Sequence, residues 1–174
     1  TPGHVDFTAE VERSLRVLDG SVMVFCAVAG VQPQSETVWQ QAKRYHVPCI
    51  AFVNKMDRVG ADFEKAVISI DDQLSANPVP IQIPIGAEEQ FAGVIDLISM
   101  QELHFKDEGY GEEYEYSELT DELRPQAQDW RRQMLEHLSY YDDCLLEKIV
   151  EEQEVGQGEI VKVLRKATLR GKIT

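Results

Sequence analysis

Apolar positions follow a helical rhythm broken by two continuous runs over the first 77 residues. Phe7, Val11, Leu15 and Leu18 fall one helical turn apart with Glu10, Glu12, Arg13 and Arg16 between them, which predicts an amphipathic helix over 7–18 stopped at Gly20. The run Ser21–Val28 (SVMVFCAV) is short, continuously apolar and rich in β-branched residues, and predicts a strand covered on both faces of a parallel sheet. A helix over 35–45 with Val38, Trp39, Ala42 and Tyr45 inward follows, then a second buried strand over 48–53. Asp62 is placed to cap a third helix bearing Phe63, Val67, Ile70 and Leu74 on one face. Helices and strands in alternation, joined by short connections, predict an α/β layer with right-handed crossovers.

After Asn77-Pro78 the period changes to two. Val79, Ile81, Ile83 and Ile85 alternate with polar residues and prolines; Pro80 and Pro84 share one parity, which confines this strand to a sheet edge or a bulge. Strand-like runs over 93–106, bent near Met100, and over 113–118 predict an antiparallel meander. Three helices complete the chain, marked by Ala127, Trp130, Met134, Leu138 and Tyr141, by Leu145 to Val150, and by Ile160, Val163, Leu164 and Ala167. The expected division is 1–77, an α/β unit, and 78–174, an α+β unit with antiparallel strands and helices.

Charge sharpens that division. The net charge is -14. Residues 1–77 hold 10 acids against 7 bases, and residues 78–174 hold 21 against 10, so most of the excess lies in the second unit. Such acidity argues against nonspecific adhesion to DNA or to an anionic membrane. No apolar run approaches the ~20 residues of a membrane helix, and Cys26, Cys49 and Cys144 lack metal or disulfide spacing, so buried reduced thiols in a cytosol-like compartment are expected.

Two loops carry candidate chemistry. Asn54-Lys55-Met56-Asp57 directly follows the second buried strand, at the carboxyl end where open α/β sheets bind ligands. A carboxylate at Asp57 can accept two parallel hydrogen bonds from the ring N–H and exocyclic amine that guanine presents side by side. Adenine lacks that pair and would leave the acid unpaired. Asn54 would tie the loop and touch the base edge, while the aliphatic stem of Lys55 lies over the base plane. The competing structural reading is a polar loop in which Asp57 caps the next turn. Thr1-Pro2-Gly3-His4 opens the first helix: Gly3 permits close approach of a backbone N–H to a phosphate, and His4 can orient water toward a terminal phosphate. His4 as a solvated loop histidine is the alternative there.

Together, TPGHVDFTAEVERSLRVLDGSVMVF and GVQPQSETVWQQAKRYHVPCIAFVNKMDR resemble the GTP-binding domain of the translational GTPases, and PIQIPIGAEEQFAGVIDLISM with LRKATLRGKIT resembles the subdomain that their translocase branch inserts into it. The resemblance implies a partial P-loop-type GTPase sheet with helices, followed by an α+β insertion. It implies that Thr1, Pro2, Gly3 and His4 bind GTP at the second switch with His4 catalytic, that Asn54, Lys55 and Asp57 recognise guanine, and that the helix from Phe7 moves with the γ-phosphate. The sequence contains no G-x-x-x-x-G-K-[ST] phosphate loop, no first-switch threonine and no aspartate before Thr1. An internal fragment, inactive alone and with no metal ligand or bound cofactor of its own, is therefore expected; GTP or GDP with Mg2+ belongs to the intact factor.

The implied function is GTP-driven movement of tRNA and mRNA in the cytoplasm or an organellar matrix, with the ribosome, its stalk protein and ribosomal RNA as partners. A paralogue for ribosome recycling, release or ribosome protection is the alternative. From another class, the acidic second unit alone could be a docking module. Residues 102–122 hold nine acids and one base, which reads as a solvated face or as a surface for a basic partner. Among helix-borne acids, Glu136, Glu147, Glu151 and Glu152 are the docking candidates.

Overall fold

The computed structural model describes residues 8–105 and 114–174. The chain divides into two compact units, positions 1–78 with 166–174, and positions 79–165.

The first unit is built on a two-stranded parallel sheet of β1 (Ser21–Cys26) and β2 (Cys49–Asn54), in register from Ser21 opposite Cys49 to Cys26 opposite Asn54. Its helices are α1 (Thr8–Leu15), α2 (Pro33–Arg44) and α3 (Phe63–Leu74). Proline at the start of α2 occupies a position whose N–H needs no partner. Asp62 caps α3 as expected, accepting the Lys65 N–H at 3.0 Å. All three helices contribute to one core with Met23, Phe25 and Cys49, through Val11, Leu15, Trp39, Ala42, Ile70 and Leu74.

The expectation of a sheet covered on both faces is corrected. Side chains alternate across a strand, and the helices pack on the Met23 and Phe25 face only. On the other face Val22, Val24, Ile50 and Phe52 are 64, 58, 55 and 55% exposed. The first helix also stops at Leu15, three residues before its predicted end; a turn closes with Val17 N–H on the Ser14 carbonyl, and Leu18 is exposed. Cys49 is buried, but Cys26 is half-buried and Cys144 exposed, so the buried-thiol expectation holds for one of the three.

Residues 166–174 group with this unit, although periodicity alone attached them to the second. Thr174 Oγ1 donates to the Cys49 carbonyl at 2.9 Å, and Asn77 Nδ2 donates to the Lys172 carbonyl at 3.1 Å.

The second unit contains a four-stranded antiparallel meander, β3 (Gln82–Ile85), β4 (Gly93–Asp96), β5 (Gln101–Phe105) and β6 (Tyr114–Glu118), in that order. β3 is an edge strand, where its proline is tolerated. The predicted bend resolves into two strands: Met100 adopts φ 56°, and Asp96 Oδ1 accepts the N–H groups of Ile98 and Ser99 at 2.7 and 2.9 Å. Gly93 is required by close approach, since an added Cβ would lie 2.2 Å from the Leu103 carbonyl oxygen. Helices α4 (Arg124–Ser139) and α5 (Asp143–Val150), with α6 (Gln157–Leu169) up to residue 165, supply Ala127, Met134, Leu138, Leu145 and Ile160 as buried residues, with Ile83, Ile95 and Leu97 buried from the strands and the turn after β4. Met134 and Trp39 are buried as expected, whereas Trp130 is only half-buried. Arg131 donates to the carbonyls of Leu97, Ile98 and Val155, stitching α4 to two loops.

Candidate functional site

Asn54 is the last residue of β2, and its own main chain begins the loop geometry. Its carbonyl accepts the Ala27 N–H at 2.8 Å, and the Ala27 carbonyl accepts the Asp62 N–H at 3.0 Å. One buried residue thus links the end of β2 to the cap of α3. The chain then turns through Lys55 at φ 67°, a left-handed conformation that costs a side-chain-bearing residue about 1–2 kcal/mol. Two features offset that cost. Asn54 Oδ1 accepts the Lys55 N–H at 2.8 Å, and Met56 is buried at 7% exposure as an apolar anchor beneath the turn. Arg58 N–H on the Lys55 carbonyl at 3.2 Å and Ala61 N–H on the Arg58 carbonyl at 3.0 Å continue the turn toward α3.

The result is a braced backbone with one acid held outward. The Asp57 carboxylate is 66% exposed and 3.8 Å from Arg58 Nε. An exposed ion pair of that length is weak, so the acid remains available to stronger, bidentate donors. Asn54 and Lys55 are exposed beside it. Opposite Asn54 in the register, the Cys26 thiol is held below its ordinary range by the N–H groups of Ala29 and Val28, against a smaller effect of burial.

Thr1, Pro2, Gly3 and His4, and the Phe7 start predicted for the first helix, lie outside the described residues. Glu136 is exposed on α4 and Glu147 on α5; Glu151 caps the C-terminal end of α5, with Glu152 next to it at φ 55°. Glu151 accepts from Gln153 Nε2 at 2.5 Å. Among the described residues no group of three or more His, Cys, Asp or Glu side chains could hold a metal ion, and no helix is long and apolar enough to cross a membrane.

Two polar clusters were not anticipated. Glu102 is buried on β5, accepting the Thr120 N–H at 2.7 Å and contacting His104 Nε2 at 2.8 Å. Burial pushes its carboxyl up, but the Thr120 and His104 contacts outweigh this and hold it below its ordinary value. Their two-residue spacing in a strand, which puts both side chains on one face, was the available signal. The other cluster joins Glu12 of α1 and Arg16 just after it to Tyr45, and no local pattern marks it.

Residues 1–172 match the family of the elongation factor Tu GTP binding domain, and the chain belongs to that family. It is similar to elongation factor G of Salinibacter ruber, 57% identical over 175 residues, covering 100% of this chain and 25% of the relative. Elongation factor G 2 of Syntrophomonas wolfei and elongation factor G of Thermotoga neapolitana are likewise 57% identical, over 173 and 172 residues, with 99% of this chain and 25% of each relative covered. The chain therefore spans about a quarter of the length of these curated relatives. A crystal structure of ttk003000868 from Thermus thermophilus superposes with TM-score 0.84 at 28% identity, covering 99% of this chain and 25% of that one.

Proposed function

We propose that these residues form part of the GTP-binding domain of a ribosome-dependent translocase, which in full length binds GTP and hydrolyses it as tRNA and mRNA move through the ribosome. The observation that carries this reading is the 57% identity, maintained from end to end of the chain, to proteins named elongation factor G. Those names favour the translocase over the recycling, release and protection paralogues. The braced loop after β2 supplies the matching chemistry: Asp57 accepts from the two adjacent donors of guanine, Asn54 holds the loop and meets the base edge, and the Lys55 stem covers the base plane.

At the other loop, the backbone of Thr1, Pro2 and Gly3 approaches the terminal phosphate and His4 orients the attacking water. Mg2+ carried with the nucleotide would neutralise phosphate charge there. The open apolar face of β1 and β2 fits a role inside a longer protein, since parallel sheets are stable when both faces are covered. The compartment is the cytoplasm or an organellar matrix.

Replacing Asp57 by Asn in the full-length factor tests the base assignment. Xanthine presents a donor beside an acceptor, which an amide matches and a carboxylate does not. The variant should lose GTP-dependent activity and gain it with xanthosine triphosphate; retention of the guanine preference would reject the role of Asp57.

For the second unit, we propose that Glu136, Glu147, Glu151 and Glu152 form a docking surface for the ribosome's stalk protein, with ribosomal RNA contacted elsewhere in the factor. All four are exposed. Charge reversal should lower ribosome-stimulated turnover and flatten its salt dependence. An unchanged rate and salt dependence would remove this surface from the mechanism.

A further inference from the structure

We infer that Tyr45 is a positioning residue for helix α1, clamping its C-terminal half through Glu12 and thereby fixing the helix into which Thr1–His4 lead. The consequence for turnover rests on the function proposed above; the clamp itself does not.

α1 has eight residues, far below the length at which an isolated helix holds together in water. Its place is therefore decided by a few contacts. Two are apolar: Val11 and Leu15 are buried in the core shared with Trp39 and Ala42 of α2. Others are polar and converge on one ring. Tyr45 caps the C-terminal end of α2, where its N–H bonds to the Gln41 carbonyl, and its ring packs half-buried against the same core. From there its hydroxyl donates to Glu12 Oε1. Arg16, in the turn just after α1 and four residues on from Glu12, lies 3.8 Å from that same oxygen, and its guanidinium carbon is 5.7 Å from the Tyr45 ring centre. Arg44 lies on the same ring at 6.0 Å.

Glu12 thus receives a hydroxyl and a cation at once, while the ring that supplies the hydroxyl is flanked by two guanidinium groups. The Tyr45 hydroxyl chiefly holds the Glu12 carboxyl below its ordinary value, against the opposing effect of burial and with lesser help from Arg16 and Arg44. Each contact alone is a screened surface interaction. What distinguishes the set is that the Tyr45–Glu12 bond and the Arg16 contact with the ring cross from the end of α2 to the α1 segment, while the tyrosine ring packs against the core.

The test uses the full-length factor with Tyr45→Phe, which keeps the ring and removes the hydroxyl. Amides of α1 should exchange with deuterium about threefold to tenfold faster, as expected for loss of one partly screened hydrogen bond to a charged group, while amides of α3 are unaffected. Unchanged exchange in α1 overturns the clamp. If protection in α3 falls as well, Glu12→Gln decides: this exposed-side change leaves the Tyr45 packing intact and must loosen α1 by itself. The double variant should loosen α1 no further than Tyr45→Phe alone. In ribosome-stimulated GTP hydrolysis, Tyr45→Phe should lower kcat about threefold to tenfold and leave KM unchanged, because a displaced helix misaligns His4 without touching the base loop. An active wild type with an indifferent variant overturns the positioning role alone. A wild type without turnover overturns the functional reading, and that role with it.

Discussion

The indole N–H of Trp39 donates to the main-chain carbonyl of Leu74 at 3.2 Å, tying the middle of α2 to the last residue of α3 inside the core of the first unit. Orphan carbonyls at a helix end must find partners, and this one is met by a side chain 35 positions away. Trp39→Phe preserves much of the apolar volume and removes the donor. It should destabilise the first unit by about 1–3 kcal/mol, the cost of leaving a buried acceptor unsatisfied. Urea unfolding followed by far-ultraviolet circular dichroism measures the difference, and a loss below ~0.5 kcal/mol would show that water replaces the indole.

The open face of β1 and β2 presents Val22, Val24, Ile50 and Phe52 together. The 174-residue polypeptide should accordingly bind an apolar dye such as anilinonaphthalene sulfonate, and Phe52→Lys should weaken that binding at little cost in stability, since the side chain is half in solvent already. Dye fluorescence equal in the two proteins would locate the apolar surface elsewhere.

Glu102 sets a pH dependence for the second unit. Its carboxyl titrates below the ordinary 4.5 in the folded state. A depressed carboxyl stabilises the fold above the unfolded value and loses that contribution as pH falls through the folded value. Stability should therefore be level from pH 7 to about 5 and decline as acid is added below the ordinary 4.5. Glu102→Gln should be the less stable protein at pH 7, and the gap should close toward pH ~3. Thermal melts of both proteins across that range decide it; a gap independent of pH would mean that the carboxylate charge is irrelevant.

Without a G-x-x-x-x-G-K-[ST] sequence, these residues lack the backbone cradle that supplies most of the affinity for a triphosphate. Titration of a fluorescent guanine nucleotide into the 174-residue polypeptide should show no saturable binding at micromolar concentration. Tight binding would mean that Asn54, Lys55 and Asp57 suffice.

Features governed by neighbours in sequence were legible in the sequence. Asp62 caps α3 because a short acceptor three positions before Lys65 is within reach of its N–H. Pro84 lies in the edge strand β3, as expected of a residue that lacks the ladder donor, and Met100 marked a bend that the structure resolves as a turn between β4 and β5. The order of helices and strands and the break near residue 78 were readable from hydrophobic period alone. So was the candidate base loop, because four consecutive residues after an apolar strand define it.

Tertiary structure decided what depends on distant partners. Val22, Val24, Ile50 and Phe52 are as apolar as strands covered on both faces, yet which face is packed depends on where three helices land. Tyr45 and Glu12 are 33 residues apart, and Thr174 and Cys49 are 125 apart. Periodicity assigns each such residue to a helix, a strand or a tail, and says nothing about which other element it meets. The sequence by itself determined the elements and their order, since these follow from local sterics and the burial of apolar faces. The open sheet face, the return of residues 166–174 to the first unit and the Tyr45 clamp were decided by packing, because a contact forms only after the chain has closed the loop between its partners.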